Sequence, residues 1–76
     1  MSGEIYMGQK LELDRSYELK EAVDRLNIIK EQNWWDDDFA LQIDEVVSRI
    51  EAVPQGFLVS FRYDSETAKL HPNFSF

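Results

Sequence analysis

The chain has 76 residues and no cysteine, and eight Lys and Arg stand against fifteen Asp and Glu, giving a net charge of −7. That balance repels phosphate backbones and anionic lipid, which argues against direct nucleic-acid or membrane-surface binding. The lack of cysteine excludes disulfides and thiolate metal ligands.

A length of 76 residues points to one domain, small enough that folding buries only about 60% of the unfolded surface. Hydrophobic residues make up 43% and charged residues 30%, which suits a folded globule and not a disordered chain. No apolar run approaches the roughly 20 residues of a membrane span. Residues 1–10 hold no apolar signal-peptide core. With cysteine absent, these features lead to the expectation of a cytoplasmic protein.

Residues 1–3 are expected to be loose. From 4 to 13, Ile5, Met7, Leu11 and Leu13 alternate with Glu4, Lys10 and Glu12, the period of a half-buried strand, most clearly over 9–13. Asp14 or Ser16 is positioned to cap a helix. Its apolar stripe is Leu19, Ala22, Val23, Leu26 and Ile29, and Asn33 is its expected stop, through a left-handed cap. A second helix starts within Asp36-Asp37-Asp38, buries Phe39, Ile43, Val46, Val47, Ile50 and Val53, and closes at Pro54. Gln55-Gly56 makes the next turn.

Phe57, Val59, Phe61 and Tyr63 then alternate with Leu58, Ser60 and Arg62. Residues 64–67 supply turn chemistry, and Ala68, Leu70, Phe74 and Phe76 form a last alternating run. Pro72 marks that run as an edge strand or a bulge. Phe57, Phe61, Phe74 and Phe76 are expected in the core. The predicted fold is α+β, a small single domain in the order β-α-α-β-β. About three antiparallel strands carry two helices on one face.

Charge is concentrated in one stretch. From Glu31 through Ser48 the acids are Glu31, Asp36, Asp37, Asp38, Asp44 and Glu45, with no Lys or Arg among them, whereas the rest of the chain is nearly neutral. Trp34 and Trp35 sit inside this stretch. In extended geometry two consecutive residues point to opposite sides, so one indole is expected to close the open end of the core and the other to meet water. An exposed indole rimmed by carboxylates has the character of a binding hot spot for a basic protein, with the acids steering and the ring holding. A second candidate surface is formed by Tyr17, Glu21, Asp24 and Ile28, spaced opposite the buried stripe of the first helix, together with Leu41 on the second.

Chemistry for catalysis is sparse. His71 is the single histidine, and no Cys/His cluster, calcium loop, glycine-rich phosphate loop or G-x-S-x-G elbow is present. No enzyme activity, cofactor or metal is expected. The leading expectation is a non-enzymatic antagonist that occupies the basic, nucleic-acid-binding or nuclease surface of another protein. In composition alone the chain resembles phage counter-defence and immunity-type proteins. The alternatives are a structural or homodimerising subunit of a larger assembly and a helix-turn-helix DNA reader, the latter opposed by the sign of the charge. The terminal Asn73–Phe76 run also offers an edge strand to another chain.

Overall fold

Two apolar helical stripes and one apolar sheet face have to be buried together in this chain. The computed structural model, which describes residues 11–13 and 15–75, shows how they meet. The elements run β1 (Tyr17–Glu18), α1 (Leu19–Gln32), α2 (Asp37–Glu51), β2 (Leu58–Asp64) and β3 (Lys69–Ser75). The sheet is antiparallel in the order β1-β2-β3. This is the α+β arrangement that the hydrophobic periodicities predict. The core joins Ala22, Leu26 and Ile29 of α1, Phe39, Ile43, Val46 and Ile50 of α2, and Val59, Phe61 and Leu70 of the sheet. Leu19, Val23, Val47, Tyr63 and Phe74 pack against its edge. Among the described residues, no helix is long and apolar enough to cross a membrane.

The start of the chain differs from expectation. Residues 1–10, Asp14 and Phe76 lie outside the described residues, and so do the expectations placed on them. Leu11, Glu12 and Leu13 are not in a strand. Leu11 is buried and Leu13 packs on the core, as their alternation predicts, but the first strand is the short Tyr17–Glu18 pairing. Ser16 does not cap α1. The cap position is Glu18, which makes no side-chain capping bond.

Tyr17 belongs to the core and not to a surface, with 1% of its area exposed. The helical spacing that set it opposite the buried stripe does not reach it, because α1 begins at Leu19. In β1 Tyr17 pairs with Val59, and its ring lies 6.3 Å from that of Phe61. Its hydroxyl accepts a 2.8 Å bond from the Glu12 backbone N–H, tying the preceding segment down. The Arg15 and Arg25 guanidinium carbons stand 4.8 and 5.2 Å from the ring centre, and Glu21 takes both arginines, Arg25 at 3.0 Å and Arg15 at 3.7 Å. Glu21 is thus part of an internal brace built from cation–π and ion-pair contacts.

At the other end of the sheet, Gln42 of α2 reaches β3. Its amide donates to the Ala68 carbonyl at 3.0 Å and accepts from the Leu70 N–H. The contact holds down a loop in which Ala68 has a left-handed φ of 56°, costly for any residue with a Cβ. It also masks an edge. In an antiparallel ladder alternate residues turn their backbone groups away from the partner strand. Since Leu70 bonds outward to Gln42, Pro72 and Phe74 share that direction. Gln42 occupies the first outward N–H and Pro72 has none, so β3 is a poor template for another chain. Replacing Gln42 with alanine removes both bonds and leaves a part-buried N–H without its partner. A loss of about 1–3 kcal/mol is expected, read as a lower urea midpoint.

The β2–β3 hairpin carries a pH-sensitive contact. The Thr67 hydroxyl and the Glu66 and Thr67 backbone N–H groups hold the Asp64 carboxyl below its ordinary value of 3.8. A carboxyl depressed in the folded state stabilises the fold above its unfolded pKa, and the contribution is lost as pH falls through the folded value. The stability gap between wild type and Asp64→Ala is therefore expected at pH 7 and should be smaller at pH ~2. Urea midpoints at the two pH values measure it.

Candidate functional site

The turn between the helices is set by Asn33. Its backbone N–H reaches the Ile29 and Lys30 carbonyls at 3.1 and 3.2 Å, and its side-chain amide donates to the Ile29 carbonyl at 2.9 Å. Asn33 does end α1, but at φ −122°, without the left-handed cap. It is 9% exposed, so its own side chain fills the end of the core. The Asn33 carbonyl then accepts from the Asp36 N–H at 3.0 Å, closing a four-residue turn with Trp34 and Trp35 at its two central positions.

Central positions of a tight turn project from its tip. Both indoles accordingly stand in solvent, Trp34 at 76% and Trp35 at 62% exposure, which corrects the expectation that one would seal the core. The rings meet each other edge to face, with centroids 6.0 Å apart and planes at 84°. Such a contact favours one mutual arrangement of two large, mostly exposed rings.

Asp36 follows the turn and caps α2, its Oδ1 accepting from the Phe39 N–H at 3.0 Å. Asp37 and Asp38 occupy the first helical turn and are exposed. The positive end of the α2 dipole offsets part of their charge, whereas Glu31, exposed in the last turn of α1, adds to a negative helix end. Asp44 is paired at the surface: the Lys30 ammonium lies 2.6 Å from its Oδ1, linking the two helices and offsetting one negative charge. Glu45 is exposed one turn further along α2 from Leu41.

Asp38, Leu41 and Glu45 are spaced three and four residues apart and share one face of α2. That face forms a wall of an open groove of about 510 Å³ whose other wall is the start of β3, including Lys69 and His71. Leu41, 68% exposed, therefore sits between two acids of the first candidate set instead of marking a separate surface. Asp24 and Ile28 are exposed on α1. With Tyr17 and Glu21 used internally, the second candidate surface is not assembled.

The structure thus brings together Trp34, Trp35, Asp36, Asp37 and Asp38 in one run of chain, with Leu41 and Glu45 continuing along the helix. Sequence reasoning missed Gln42 and the buried role of Asn33. A Trp-Trp pair flanked by Asn and Asp was the available signal for a turn, since those residues favour turn positions. Among the described residues, no three His, Cys, Asp or Glu side chains gather as a metal site would require. Compared with protein-family models, curated proteins and solved structures, the chain matches none.

Proposed function

We propose that this protein is a non-enzymatic binding module that covers a basic surface of another protein, such as the nucleic-acid-binding face of a nuclease or DNA-binding protein, and inhibits it. The observation that carries this reading is the projection of both indoles from a turn that leads directly into three aspartates. Exposing two tryptophans costs a small domain apolar burial that it would otherwise use for stability. Aromatic anchors of this kind supply most of the binding energy at protein interfaces, while surrounding charges speed the encounter.

The acids are too few for a full imitation of duplex DNA. Asp37 to Glu45 spans roughly 12 Å at the helical rise of 1.5 Å per residue, a length over which duplex DNA presents about seven charges. Charge complementarity around an aromatic anchor describes the surface better than a copy of the phosphate ladder. A homodimer through the same patch is disfavoured, because two-fold symmetry would set the aspartate runs of two copies against each other.

The test is affinity capture from the source cells at low and high salt, with wild type, Trp34→Ala/Trp35→Ala and Asp37→Lys/Asp38→Lys as baits. A basic protein retained by wild type alone, released by salt and inhibited in its nucleic-acid activity is the expected result. A partner held equally by all three baits, or one indifferent to salt, contradicts the reading.

A further inference from the structure

Resting on that reading, we propose that the Trp34–Trp35 turn is an arginine-binding site, in which a guanidinium of the partner lies on the indole faces and donates to the carboxylates of Asp37 and Asp38. Three observations lead there. The two rings stand at 84° with most of their surface open, so their faces form two sides of a corner. Among the described residues no cation stands over either ring. The fold itself already contains the same chemistry in finished form, where Arg15 and Arg25 lie over the Tyr17 ring and share the Glu21 carboxylate. The turn supplies the aromatic rings and the adjoining first turn of α2 supplies exposed carboxylates, with the guanidinium left to be supplied from outside.

Arginine fits this corner better than lysine. A guanidinium is flat, weakly hydrated and carries N–H donors in a fork that suits a carboxylate, so it stacks on an indole and pairs with an acid at the same time. An ammonium is compact and strongly hydrated, and it gives up water to approach the ring. Indole is also the strongest of the natural aromatic partners for a cation. The site would select arginine-rich segments, which are common on nucleic-acid-binding surfaces.

Trp34 and Trp35 are the only tryptophans in the chain, so intrinsic fluorescence reports on this site alone. The experiment titrates the full chain at low salt with three blocked pentapeptides, Arg-Gly-Arg-Gly-Arg and its lysine and citrulline counterparts. The arginine peptide is expected to change the emission and to bind about fivefold or more tighter than the lysine peptide of equal charge. The citrulline peptide, similar in shape but neutral, should not bind. In Trp34→Ala and Trp35→Ala, followed by calorimetry, the preference for arginine should fall towards unity. Equal binding of the arginine and lysine peptides, unaffected by either substitution, would overturn the arginine site while leaving the acidic-surface reading in place. Failure of all three peptides, with the basic partner still captured by wild type, would do the same. Failure of the peptides together with failure of the capture experiment would remove both.

Discussion

Tyr17→Ala is expected to lose about 3–5 kcal/mol of stability, the usual cost of truncating a buried aromatic side chain. The whole stability of a domain is of the order of 5–15 kcal/mol, so the variant loses a large share of it, and at the low end of that range a substantial fraction would be unfolded at room temperature. The substitution empties the space beside Phe61, removes the acceptor for the Glu12 N–H and leaves Arg15 and Arg25 without the ring they stack on. Tyr17→Phe keeps the ring and should cost about 1–3 kcal/mol through the lost hydrogen bond alone. Urea denaturation followed by circular dichroism measures both. A Tyr17→Ala protein with a wild-type midpoint that bound its partner poorly would return Tyr17 to the surface role suggested by its helical spacing.

The second large effect is on association rate. In Asp37→Lys/Asp38→Lys the charge at the start of α2 changes by four units while the Asp36 cap stays in place. Electrostatic steering contributes roughly 10- to 1,000-fold to the association of complementary surfaces. The reversal is expected to slow association with the basic partner by at least about tenfold at low salt. The difference should shrink as the Debye length falls from about 10 Å at 0.1 M to about 3 Å at 1 M ionic strength. Stability should drop by about 0.3–1 kcal/mol per replaced acid, from the helix dipole. Stopped-flow mixing across a salt series measures the rate, and equal rates for the two proteins at low salt would show that the aspartates do not steer.

Most of the architecture was legible because periodicity and capping are local. The stripes on α1 and α2, the Asp36 cap and the strand pattern around Val59 and Phe61 each depend on residues a few positions apart, whereas α2 ends at Glu51, short of the expected stop at Pro54. The misreadings arose where a distant contact or one hydrogen bond decided the outcome. Tyr17 continues the helical spacing of α1, yet pairing with Val59 places it in a strand, and only the tertiary fold determines that. Sequence alone treats the tryptophans as extended chain. The Asn33–Asp36 hydrogen bond makes their segment a turn and sends both outward. Gln42 looks like any polar helix residue until β3 is laid beside it, 26 and 28 residues away in sequence. In the candidate site, the cluster of acids was visible as composition. The neutralising partner of Asp44 was not, because the Lys30–Asp44 surface pair depends on the packing of two helices.

The central claim is that the turn carrying Trp34 and Trp35 exists to contact a partner and contributes little to the fold. Its most direct measurement is a paired comparison of wild type with Trp34→Ala/Trp35→Ala, taking the urea midpoint of each protein and the affinity of each for the captured basic partner. Substitutions at exposed positions away from special features usually change stability by no more than about 0.5 kcal/mol, whereas loss of an interface hot spot costs 2 kcal/mol or more, about thirtyfold in affinity. Near-equal midpoints with affinity reduced by at least that factor is the predicted result. A large fall in midpoint with affinity unchanged would show the indoles to be structural and contradict the account.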